Sequence, residues 1–125
     1  MKEAVRTEGA PAPIGPYSQG IVTSGRLLFV SGQTPKDPRN GEMPKDFRAQ
    51  AERCLENVKA IVESAGASMA NVVKVNAYLL DLGNFAVFNE VYARYFAAPF
   101  PARTTVGAQL PGGSVQVEID AIVAL

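Results

Sequence analysis

An α+β domain, with two helices on one face of a mixed β-sheet, is the fold class the sequence predicts. Two observations carry that expectation. Two segments repeat apolar residues at helical spacing, and the segments around them alternate or are rich in β-branched residues. Their order reads ββαβαββ, with no linker, internal repeat or low-complexity tract, so residues 1–125 are expected to form a single domain.

The Pro/Gly-rich stretch "GAPAPIGPYSQG" (Gly9 to Gly20) reads as a loop of restricted conformation. After it, "GIVTS" and "LLFVSGQ", joined by Ser24-Gly25-Arg26, read as a hairpin. The stretch Thr34 to Pro44 is a turn-rich connection. Asp46 is placed to cap a long helix whose apolar residues Phe47, Ala51, Cys54, Leu55, Val58, Ile61 and Val62 step by three and four, with Gly66 as its stop. The alternating "VVKVNAYLL" (Val72 to Leu80) reads as a strand. A second helix is expected from about Asn84 to Phe96, burying Phe85, Phe88, Tyr92 and Phe96. The strands "RTTVGAQL" and "VQVEIDAIVAL", separated by Pro111-Gly112-Gly113-Ser114, close the chain.

Twelve basic and twelve acidic residues cancel, which removes the bulk electrostatic reason to expect nucleic acid as a partner. No apolar run reaches the roughly 18 residues that span a bilayer, so no membrane association is expected. The N-terminal "MKEAVRTEGAPAP" lacks the apolar core of a secretory signal, and the expected location is cytoplasmic. With no histidine and one cysteine, a His-based triad, a zinc finger and an internal disulfide are all out of reach. Cys54 falls on the apolar stripe of the first helix and reads as core. The charged residues of that helix, among them Glu52, Arg53, Glu56, Lys59 and Glu63, read as a solvated face.

Arg103, in "FPARTTVGAQL", is a permanent cation at the mouth of a strand with no acidic neighbour in sequence. Treated as a hairpin across the Pro-Gly-Gly-Ser stretch, the last two strands are expected to set Thr105 opposite Glu118 and Arg103 opposite Asp120. Val115, Val117, Ile119, Ala121 and Val123 then face the helices, as do Val106, Ala108 and Leu110. Arg103, Thr105, Glu118 and Asp120 form a polar cluster on the other face. That face also carries Ile122, Ala124, Tyr78 and Leu80, a mixture suited to a subunit interface, so a homo-oligomer enclosing the arginine is expected. Two roles for Arg103 stand side by side: a structural ion pair with Glu118 or Asp120, and a clamp whose two parallel donors match a substrate carboxylate.

The segments "APAPIGPYSQG", "VSGQ", "QAERCLENVKAIVESAG", "NFAVFNEVY", "FPARTTV" and "VEIDAIV" occur in the order in which the chain resembles the Rid (YjgF-type) superfamily, most closely its RidA-like enamine/imine deaminases. The resemblance covers nearly the whole chain; its strongest part is "PAR[ST]-x-V" followed by a glutamate in the next strand. It implies a chorismate-mutase-like fold and a homotrimer whose sheets pack inward as a barrel, with sites in the clefts between subunits. It implies hydrolysis of 2-aminoacrylate-type enamines, or 2-imino acids, to 2-keto acids and ammonia, an activity of the 2-iminobutanoate/2-iminopropanoate deaminase type. These substrates are released by pyridoxal-phosphate enzymes.

Residue by residue, the resemblance implies that Arg103 grips the substrate carboxylate and that Glu118 orients or activates the attacking water. Tyr17 contributes to the pocket wall, Ser31 and Gly32 offer backbone donors, and Asn89 and Thr105 line the pocket. Thr105 stands where the best-known members carry cysteine, which argues against a thiol step. Neither metal nor organic cofactor is implied. Structural alternatives remain: Tyr17 as a core plug, Asn89 as a solvent-facing helix residue, and Ser31 as a strand end. Gln19 and Gln33 read as satisfying loop carbonyls, and Asp120 as a neighbouring partner outside the site. Non-catalytic binding of a small carboxylic acid with a regulatory role is the rival function. A catabolic Rid-subgroup deaminase and an RNA-cleaving activity stand behind it.

Overall fold

The computed structural model describes residues 2–125. In chain order it contains strands β1 (Lys2–Val5), β2 (Gly20–Thr23) and β3 (Leu27–Gln33), helix α1 (Phe47–Ser64), strand β4 (Val72–Leu79), helix α2 (Phe85–Ala93), and strands β5 (Ala102–Gly107) and β6 (Val117–Ala124). Short 3-10 turns at Met69–Asn71 and Leu82–Asn84 lead into β4 and α2.

Local chemistry explains the helices. The Asp46 carboxylate accepts from the Ala49 N–H at 3.1 Å and starts α1. Beyond α1, Gly66 takes the positive φ of 84° that ends helices cheaply. Ala51, Cys54, Leu55, Val58 and Val62 are all buried, as their spacing requires. The Cys54 thiol donates weakly to Gln33 O and Val117 O, and burial pushes its pKa above the ordinary thiol value. In α2 the buried residues are Phe88, Val91 and Tyr92, with Phe96 buried just beyond the helix end and Phe85 half-buried.

The main sheet runs β3-β6-β4-β5, with β4 and β5 parallel and the other pairs antiparallel. Both helices pack on one face of this mixed sheet. Val75, Ala77 and Leu79 of β4 and Val117, Ile119, Ala121 and Val123 of β6 meet the buried faces of α1 and α2 there. Gln50 is the polar side chain buried in this layer. Its amide donates to Pro44 O and Ser114 O, both at 2.8 Å, and its carbonyl accepts from Gln116 N–H at 2.9 Å. It thereby ties the loop before α1 to the loop before β6.

Two sequence expectations are corrected. First, β2 and β3 are not a hairpin: β2 pairs with the unanticipated β1, and β3 pairs with β6. The turn at Gly25, φ 89°, passes the chain from the small sheet to the large one. Second, β5 and β6 are not neighbours, because β4 lies between them. Parallel pairing needs a crossover, which α2 supplies between β4 and β5, and an antiparallel turn back from β5 to β6 is then absent.

The second correction reverses a face. Arg103 lies level with Val75, which lies level with Ala121, and Thr105 likewise lines up with Ala77 and Ile119. Cross-strand neighbours project to the same side, so Arg103 and Thr105 point toward the helices. Val106 belongs to the opposite row, with Tyr78 and Glu118, and is exposed. Arg103 is therefore not opposite Asp120, and Thr105 is not opposite Glu118.

Candidate functional site

Arg103 reaches up from the edge strand β5 into a recess roofed by α2. Its guanidinium carbon lies 4.8 Å from the ring centre of Tyr92, 5.5 Å from Tyr17, 5.7 Å from Phe88 and 5.8 Å from Phe85. Three of these rings come from one face of α2. The fourth is delivered by the Pro/Gly loop, which Ser18 fastens to the segment entering β5. There, Ser18 N–H donates to Pro101 O at 3.0 Å and its hydroxyl donates to Phe100 O. Within the loop, the Gln19 amide donates to the carbonyls of Thr7, Ala10 and Pro11. Gln19 thus satisfies loop carbonyls as its composition suggested. The Tyr17 hydroxyl in turn accepts from Ile14 N–H at 3.3 Å.

Gly15 closes the recess. A Cβ at that position would lie 3.6 Å from both Arg103 Nη2 and Asn89 Nδ2, so Asn89 is brought to the same place. Tyr17, Asn89 and Arg103 are therefore gathered around one recess, and Thr105 lies two residues on from Arg103 on the same face of β5.

Electrostatically the recess is unusual. No ion pair neutralises Arg103 among the described residues. Arg103 Nη1, Thr105 Oγ1, Asn89 Oδ1 and Tyr92 Oη are buried without hydrogen-bond partners. Each such atom is costly to leave unpaired, by about 1–3 kcal/mol. Burial lowers the Arg103 pKa, opposed in part by Tyr92 and Tyr17, yet an arginine starts so high that the group stays cationic at working pH. Aromatic faces attract the cation without neutralising it. A half-buried fork with a net positive charge and no counterion fits a small anionic group.

Ser31, Gly32 and Glu118 form a second group on the open face of the sheet. The β3–β6 register shifts between Val30 and Gln33, and this irregularity carries Ser31 and Gly32 past the Glu118 side chain. A Cβ on Gly32 would lie 2.5 Å from Glu118 Oε2, so any other residue here would push that carboxylate aside. Tyr78 stands beside Glu118 in the neighbouring strand. Asp120 is occupied elsewhere: it accepts from Asn76 Nδ2 at 2.9 Å and from the Tyr78 hydroxyl at 3.2 Å. Within one chain, then, the Arg103 and Glu118 groups lie on opposite faces of the sheet, two strands apart.

Sequence reasoning placed Phe85, Phe88 and Tyr92 in the core and missed that they box a cation. Their spacing marks the inward stripe of a helix, but nothing local shows that β5 presents Arg103 to that stripe. Gly15 was also missed, since it signals only a loop. Among the described residues no cluster of His, Cys, Asp and Glu is placed to hold a metal, and no helix is long and apolar enough to cross a membrane.

Residues 7–125 match the family model described as "Endoribonuclease L-PSP". A RutC family protein of Pyrococcus horikoshii is 50% identical over 98% of this chain and 97% of its own. The Escherichia coli K12 protein named 2-iminobutanoate/2-iminopropanoate deaminase is 47% identical over 98% of this chain and 97% of its own. Among solved structures, Escherichia coli TdcF with bound serine superposes with a TM-score of 0.77 at 43% identity, covering 98% of each chain.

Proposed function

The chain belongs to the Rid (YjgF) family, and from that premise we propose that it hydrolyses 2-imino acids and 2-aminoacrylate-type enamines to 2-keto acids and ammonia. The observation that carries the reading is the Arg103 guanidinium, half-buried among four rings with no anionic partner. A substrate carboxylate supplies that partner and takes two parallel N–H bonds. The naming of a 47% identical relative as such a deaminase supports the same chemistry.

In the reaction the acid group on Arg103 fixes the imine carbon. Water adds there, its proton passes to a base, and the resulting carbinolamine expels ammonia to leave the keto acid. A protonated imine is already electrophilic, so holding water and substrate in fixed geometry supplies much of the acceleration. Glu118 is the proposed base or water-orienting group, with Ser31 and Gly32 beside it, Tyr17 and Asn89 around the acid, and Thr105 beside Arg103 as part of the same binding site. Because Arg103 and Glu118 occupy opposite faces of one chain, a substrate touching both lies between two chains. The proposed assembly is the homotrimeric barrel of the chorismate-mutase-like type, one domain per chain over residues 1–125. Exposed Leu27, Phe29 and Val106 on the open face support its packing inward. A cytoplasmic location belongs to the same reading.

The test generates imine in place with a pyridoxal-phosphate dehydratase and follows keto-acid release with and without this protein. Acceleration is expected. Arg103→Lys, which keeps charge but loses the fork, should raise KM more than about tenfold in folded protein. An unchanged KM would remove Arg103 from the site.

A second reading, small-acid binding without turnover, is favoured by the serine held in TdcF. Ligand binding with no acceleration would select it. The family model's ribonuclease description finds less support in a chain with balanced charge.

A further inference from the structure

The Tyr92 hydroxyl is the feature of the recess that neither packing nor the proposed chemistry has used. Tyr92 is fully buried, and its ring stacks between Phe88 and Phe96 at centroid distances of 5.6 and 4.5 Å. Phenylalanine would fill that place equally well and avoid burying an oxygen with no partner.

A guanidinium carries five N–H donors and no acceptor, and a bidentate carboxylate uses two of them. The other edge of Arg103 must then find acceptors among the buried atoms around it. The buried, unpartnered oxygens there are Tyr92 Oη, Thr105 Oγ1 and Asn89 Oδ1, and the buried, unpartnered donor is Arg103 Nη1. Of the four rings, Tyr92 lies closest to the guanidinium carbon, at 4.8 Å.

We propose that Tyr92 is a positioning residue for Arg103, its hydroxyl joining Thr105 Oγ1 as the acceptor that fixes the inward edge of the guanidinium when the outward edge holds an acid group. This rests on the reading of Arg103 as the acid-binding residue. The role is orientation of the fork; Tyr92 itself does not touch the substrate.

The test compares wild type with Tyr92→Phe and Thr105→Val in the full-length protein. Binding of 2-oxobutanoate is measured by calorimetry, together with the thermal midpoint and the kinetics of imine hydrolysis. Tyr92→Phe should keep or raise the midpoint, weaken 2-oxobutanoate roughly tenfold, raise KM to match and leave kcat within about twofold. Thr105→Val should act in the same direction, and the double variant should fall short of the product of the two, because both act on one cation. A purely structural role would lower the midpoint and leave the affinity of the folded fraction unchanged. Equal affinity in wild type and Tyr92→Phe, or two fully multiplicative effects, overturns the inference. Wild type that binds the acid without hydrolysing imine removes the deaminase reading alone, and the ratio of affinities still decides the role of Tyr92.

Discussion

Arg103 owes its position to two constraints, strand alternation and the identity of its neighbouring strand. Alternation was legible: Arg103 and Thr105 share a side, as do Val117, Ile119 and Ala121. The neighbour was not. A Pro-Gly-Gly-Ser stretch between two strands suggests a hairpin, whereas the connection actually spans 108–116 and returns the chain on the far side of β4. The residue types that bind anions could therefore be named from sequence, while the face they occupy could not. Gly32 shows the converse, since its value lies in the missing Cβ rather than in any chemistry of its own. Gly32→Ala would set a methyl 2.5 Å from Glu118 Oε2 and force that carboxylate to move. The expected outcome is a fall in kcat of at least about tenfold with a small stability change, since displacing the proposed water-orienting group costs far more in rate than in folding. Steady-state kinetics beside a thermal melt checks this.

At the level of elements, α1 was legible because its cap, period and stop are all local signals: Asp46, the apolar stripe and Gly66. Gln50 was not, because its partners Pro44, Ser114 and Gln116 are brought together only by the tertiary fold. Gln50→Leu should cost about 3 kcal/mol, since it strands two carbonyls and an N–H that are partly buried, against about 1 kcal/mol for Asp46→Ala at the exposed cap. Urea unfolding of the two variants should show that order. Strand β1 was missed because "KEAV" is short and half charged, and its pairing with β2 is a choice made by the folded chain. The packing of α1 and α2 also sets a pH dependence. Burial raises the pKa of Cys54 above its ordinary 9.0 and that of Tyr92 above 10.0, and Tyr95 is pushed up to about 12 by burial and the Glu56 carboxylate. The folded state thus holds protons that the unfolded state releases first. The stability from these groups is complete below about pH 9 and declines as pH rises through 9 to 12. Thermal midpoints should fall over that range, and a flat profile to pH 11 would contradict the burial of these groups.

For the whole molecule, the sheet has one face covered by helices and another that mixes Leu27, Phe29, Val106 and Ile122 with Glu118, Asp120 and Tyr78. Part of that mixture was legible from alternation: Ile122, Tyr78, Glu118 and Asp120 were expected on this face, whereas Val106 was expected against the helices. The separation of Arg103 from Glu118 was not, and it is what makes a second chain necessary to the proposed chemistry. In a closed ring each site would take Arg103 from one chain and Glu118 from its neighbour. Arg103→Ala and Glu118→Ala proteins should each be inactive alone. Co-assembled at equal amounts, they should regain about a quarter of wild-type turnover, because one pairing in four joins an intact arginine to an intact glutamate. Mixed oligomers that show no more activity than the separate variants would contradict a site shared between chains.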